Sequence, residues 1–190
     1  MGNLKWPLVG LGVLIVLFLI TNSRQQKYTT KTDRIFPEET SKIYKIILQS
    51  GEGRVVLSKQ DTSWTIVDHD SLTLKPDRIQ VLFNRVLTVQ KETLISTDSG
   101  NWSKYSVDDS TGTQIRLYNQ KGDLVASAVF GRSLSDWSHN YVRIDDRPEV
   151  YLTDTSIIYL LTPRSNYWGE VRTAPTPYTT KVAPDATPKE

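Results

Sequence analysis

PDRIQVLFNRVLTVQ, residues 76–90, is the stretch on which the fold turns. Its apolar residues Ile79, Leu82, Phe83, Val86 and Leu87 fall at i, i+3, i+4, i+7 and i+8, the period of one helix face. Pro76 and Asp77 mark its start, because proline suits a first helical turn and acids favour it. The spacing predicts one long amphipathic helix over 76–90, with Arg78, Gln80, Asn84 and Arg85 on the solvent side.

On both sides of this segment the period changes to two. Upstream, Ile43–Leu48 and Arg54–Ser58 flank a Ser50-Gly51-Glu52-Gly53 turn, which predicts a hairpin. Ser63–Val67 follows as a third strand. Downstream, Thr93–Ser96 reads as a strand and Asn101–Val107 as about one helical turn. Two more hairpins pair 113–118 with 124–130 and 140–144 with 149–152. A short helix is expected over Asp154–Leu161, capped by Asp154 or Thr155. Hairpins with few helices indicate an antiparallel α+β domain spanning 41–171.

The ends of the chain differ from this domain. Leu8–Ile20 is an uncharged run of thirteen residues. A bilayer-spanning helix needs about 20 residues, so the expected anchor borrows its neighbours and covers Leu4–Asn22, within residues 1–22. No A-x-A cleavage pattern follows it, which favours a retained anchor over a removed signal peptide. Its flanking charges, with Arg24, Lys27, Lys31 and Arg34 on the C-terminal side, favour a cytoplasmic domain when simply counted. Residues Ser23–Thr40 read as a polar linker. Residues 172–190 hold four of the nine prolines and read as a disordered, Pro-rich tail.

Composition narrows function. A net charge of +2, from 23 basic and 21 acidic residues, is not the footprint of a nucleic-acid binder. Two histidines and no cysteine form a poor zinc ligand set, and the absence of cysteine excludes disulfides. No phosphate loop or dinucleotide fingerprint occurs, so no cofactor is expected. His69, between Asp68 and Asp70, and His139, near Ser133 and Ser135, are the candidates for hydrolytic chemistry. Neither sits in a nucleophile-elbow motif. The carboxylate pairs Asp108-Asp109 and Asp145-Asp146 read as turn residues rather than metal ligands. Loop aromatics are the stronger binding candidates: Trp102 and Tyr105 in one loop, Trp137 and Tyr141 in another.

Six ordered elements carry a family resemblance. They are Trp64-Thr65-Ile66, Asp77 at the head of the helix, Tyr105-Ser106-Val107-Asp108, Phe130-Gly131, Tyr141-Val142-Arg143 and Val150-Tyr151-Leu152. Over about 43–170 the chain resembles the bacterial family called domain of unknown function 4340. Its members are often encoded beside ABC-type transporter components of the gliding-motility kind. Ser106 stands where the family pattern has glycine. The resemblance implies a domain outside the cytoplasmic membrane and transfers no catalytic residue. It reads Trp64 as a core plug, Asp77 as a cap and Gly131 as a turn needing φ freedom. The resulting expectation is a single-pass, non-enzymatic interaction domain with an integral-membrane protein partner. A glycan-binding module using the loop aromatics and a hydrolase using His69 or His139 are the alternatives.

Overall fold

The computed structural model describes residues 29–171. The expected anchor at Leu4–Asn22 and the tail at 172–190 lie outside the described residues. Among the described residues no helix is long and apolar enough to cross a membrane.

Among the described residues, eleven strands form two sheets: β1 Thr29–Arg34, β2 Lys45–Ser50, β3 Gly53–Gln60, β4 Ser63–Ile66, β5 Leu72–Leu74, β6 Gln90–Ser96, β7 Thr113–Tyr118, β8 Leu124–Arg132, β9 Asn140–Ile144, β10 Val150–Thr153 and β11 Gly169–Val171. Nine make one antiparallel sheet in the order β1-β6-β10-β9-β8-β7-β2-β3-β4, and β5 pairs with β11 separately. Alternation sets its faces. Ile46 and Leu48 of β2 stand opposite Leu57 and Val55 of β3 and opposite Leu117 and Ile115 of β7. Together with Ala128, Phe130 and Val142 they make a dry inner face. Helix α1 (Pro76–Val81) and its continuation Leu82–Val86 contribute Leu82, Val86 and Leu87 to this core. So do Ile35, Phe36 and Ile43 upstream, and Ile157, Leu160, Leu161 and Trp168 downstream. Trp168 ends the one-turn helix α2 (Ser165–Trp168), and its indole N–H donates to the Thr162 carbonyl at 2.7 Å.

The expected hairpins form, and the helices differ from expectation. The 76–90 segment is α-helical only to Val81. From Leu82 to Val86 it widens into a π-turn, with the Leu87 N–H reaching the Leu82 carbonyl at 3.0 Å. Gln90 already belongs to β6. Asp77 does not cap: Lys75 holds the cap position without a side-chain bond, Pro76 follows it, and Asp77 supplies only favourable charge in the first turn. The helix expected at Asp154–Leu161 is reduced to a 3-10 turn at Ile158–Leu160. Competing partners explain this. The Asp154 carboxylate and N–H both pair with Gln90 of β6, and buried Asn140 takes the N–H groups of Ile157 and Ile158 on its Oδ1.

The segment read as a linker contains β1, which pairs with β6 at the sheet edge. Its sequence, TTKTDR, has no apolar alternation, and polar residues are what an edge strand tolerates.

Candidate functional site

The outer face of the sheet is covered where the chain passes between β6 and β7. There Val107, Val129 and Val150 form a second buried cluster, with Trp102, Tyr105 and Tyr141 packed against it. Tyr105 and Tyr141 lie 4.8 Å apart between ring centroids. Trp102 stacks on the Arg143 guanidinium at 4.2 Å and donates its indole N–H to the Pro148 carbonyl at 3.2 Å.

Arg143 is 1% exposed and holds this loop down. Its Nε donates to the Val107 carbonyl at 2.9 Å. Its Nη1 reaches the Asp145 carbonyl at 3.0 Å, and its Nη2 donates to Asp109 at 2.5 Å. Asp108 organises the same loop by accepting N–H and hydroxyl bonds from both Ser110 and Thr111. Burial alone would raise its pKa, but these four bonds outweigh burial and hold the carboxyl well below its ordinary value.

Gly131 is not a turn with special φ. It lies within β8, where an added Cβ would stand 2.0 Å from the Tyr105 carbonyl oxygen. The glycine is required by close approach of two backbones. Ser106, in contrast, does have a left-handed backbone, φ 54°. Serine here holds a conformation that glycine adopts at lower cost.

Three of the four aromatics singled out from the sequence, Trp102, Tyr105 and Tyr141, thus meet in one packed clamp. Trp137 does not join them and is 78% exposed. His69 is exposed on a loop. His139 pairs through Nδ1 with Asp136 at 2.5 Å, and its Nε2 lies 3.9 Å from Glu92. The hydrogen bond to His139 lowers the pKa of Asp136. Ser133 is 2% exposed, and its hydroxyl accepts the Asp136 N–H at 3.1 Å. No group of three or more His, Cys, Asp or Glu residues placed to hold a metal occurs among the described residues.

An open cleft of about 850 Å³ lies between β4 and α1. Ile79 and Phe83 form its helix wall, with Pro76 at one end. Trp64 faces them from β4 and Leu74 from β5. Trp64 and Phe83 meet at 5.7 Å with rings tilted by 59°. The amphipathic stripe is therefore divided. Leu82, Val86 and Leu87 enter the core, whereas Ile79 and Phe83 remain half-buried in the cleft. The α-helix gives way to the π-turn within this stripe, and such turns recur at functional sites. β4 is the last strand of the nine-stranded order, with β5 packed beside it, so the cleft lies at an end of the sheet. Trp64 is half-buried here, wall of a cleft as well as support for the core. Sequence reasoning missed this site because it assigned the whole stripe to the interior.

A family model described as "Domain of unknown function (DUF4340)" matches residues 64–175. The chain belongs to this family. The DUF4340 match begins at Trp64, on the wall of the cleft, and takes in α1 and the whole outer-face clamp. Strands β1 to β3 precede it, although β2 and β3 complete the same sheet. An uncharacterized protein of Treponema pallidum (strain Nichols) is 23% identical over 147 residues, which cover 73% of this chain and 46% of that protein. The chain thus spans about half the length of this relative. No solved structure matches the chain significantly.

Proposed function

We propose that this DUF4340 domain is a non-enzymatic interaction module, tethered to a membrane through Leu4–Asn22 and working on the extracytoplasmic side. Its partner is an integral-membrane protein, with a component of an ABC-type transporter as the favoured kind. The apolar cleft between β4 and α1 carries this reading. A half-buried Trp64–Phe83 pair, with Ile79 beside it, offers an aromatic anchor site of the sort that dominates protein interfaces. An extended partner segment can lay apolar side chains into the cleft. The thirteen-residue apolar run supports the tether, and the family resemblance supports the side of the membrane.

The test uses the full chain with a photo-crosslinking residue at Gln80 or Asn84, on the rim of the cleft. Crosslinking in membranes is expected to trap an integral-membrane protein, and Phe83→Ser is expected to abolish the product. Recovery of the chain alone, or an adduct indifferent to Phe83→Ser, overturns the proposal. Protease accessibility of the domain in sealed vesicles checks its side.

A further inference from the structure

A second surface, remote in sequence from the β4 cleft, combines features that the interaction reading does not use. Beyond Gly131 the chain leaves β8 through Arg132 and crosses to β9. Here Trp137, 78% exposed, and Tyr159, 53% exposed, line one groove of about 240 Å³. Arg132 and Ile158 line it too, and both continue with Tyr159 into an adjoining polar groove of about 510 Å³. The two grooves therefore form one path along the surface. Trp137 is exposed enough to offer a ring face to a ligand, and Tyr159 is half exposed with the Arg85 guanidinium 5.9 Å from its ring centroid.

The charges along this path decide what kind of ligand fits. Asp136 is engaged by His139, and Arg164 is paired with Glu52 at 2.5 Å. The Arg132 side chain is exposed and, among the described residues, makes no ion pair or side-chain hydrogen bond, which leaves its guanidinium available where the grooves meet. Hydroxyls stand on either side of it, from Ser156 in the smaller groove and from Ser106 and Thr113 in the larger. Aromatic faces take the C–H face of a sugar ring, because polarised C–H bonds meet the negative π-face. A guanidinium fork matches a carboxylate with two parallel bonds. A protein partner would favour a dry apolar centre. This path instead alternates ring, cation and hydroxyl. We infer that the Trp137–Arg132–Tyr159 path binds an acidic saccharide, with the rings stacking on sugar faces and Arg132 holding a uronate-type carboxylate.

The test is calorimetric titration of the full chain in detergent with hyaluronan and galacturonate hexasaccharides, each as free acid and as methyl ester. The wild-type chain is expected to bind at least one free acid, and its ester about tenfold or more weakly. Trp137→Ala and Tyr159→Ala should each weaken binding by about tenfold. Arg132→Gln should bind acid and ester alike. All three side chains are exposed, and circular dichroism confirms that the variants fold. Absence of binding to both acids at millimolar concentration overturns the inference, as does binding that survives Trp137→Ala. Equal binding of acid and ester by the wild-type chain overturns the carboxylate assignment. Because these residues lie outside the β4 cleft, the crosslinking result at Gln80 is independent of this one.

Discussion

The outer-face clamp and the β4 cleft are built from the same kind of residue and end in opposite states. In the clamp, Trp102 finds a cation beneath its ring and an acceptor for its N–H, and Tyr105 packs on Tyr141. The rings and the indole N–H that a ligand would contact already have internal partners. In the cleft, Trp64 and Phe83 touch each other and leave open volume beside them. The comparison teaches that aromatic content does not mark a binding surface. What marks it is whether the rings' contacts are completed from within the chain.

The comparison breaks most readily at Gly131. If the loop lies on β8 as described, Gly131→Ala forces a Cβ against the Tyr105 carbonyl and should cost about 3 kcal/mol or more in chemical denaturation. A near-neutral result would mean that the loop is not seated there. Arg143→Met comes next. Its carboxylate partners Asp109 and Asp146 are exposed and stay hydrated, but the buried Val107 carbonyl loses its donor and Trp102 loses its stack. A loss of about 2 kcal/mol is expected, and Arg143→Lys should not restore it, because a single ammonium cannot reach the same acceptors.

The cleft should respond less. Phe83→Ser removes a half-buried ring from an open wall, and a loss of about 1 kcal/mol is expected from the smaller area returned to water. A loss as large as that of Arg143→Met would make Phe83 a core residue and remove the contrast. Ser106→Gly should raise stability by about 0.5–1 kcal/mol, since the left-handed backbone at φ 54° no longer carries a Cβ.

The smallest effect is in the pH dependence. Asp108 is held below its ordinary pKa in the folded chain, so the unfolded chain takes up its proton first as pH falls. Its contribution is complete above about pH 5, declines as pH drops through the unfolded carboxylate value of about 3.9, and is lost at lower pH. Denaturation of Asp108→Asn at pH 6 and pH 3 should show a smaller acid-dependent drop than that of the parent chain. An equal drop would remove Asp108 from the forces that hold the clamp.

Much of the sheet is legible in the chain because period-two alternation is local. Ile46 and Leu48, or Ile115 and Leu117, need no distant information to declare one buried face. Strand β1 was not legible, since a polar edge strand is defined by its partner β6 rather than by its own pattern. The stop of the helix at Leu82–Val86 and the loss of the helix expected at Asp154–Leu161 were also hidden. In the second case the decisive acceptor, Asn140 Oδ1, lies 17 residues from Ile157. The β4 cleft was hidden for a related reason. An apolar stripe shows which residues avoid water and not whether the far side is filled.

The sequence by itself determined the antiparallel hairpins, the amphipathic segment and the family, because each rests on residues close together in the chain. Only the tertiary structure decided which aromatics are occupied. Arg143 reaches Asp109 across 34 residues and Trp102 reaches Pro148 across 46, and these meetings take Trp102 out of circulation. Trp137 has no such partner and remains at the surface. The physical reason is that a ring's availability depends on its spatial neighbours, and those are set by sheet order and loop path rather than by local spacing.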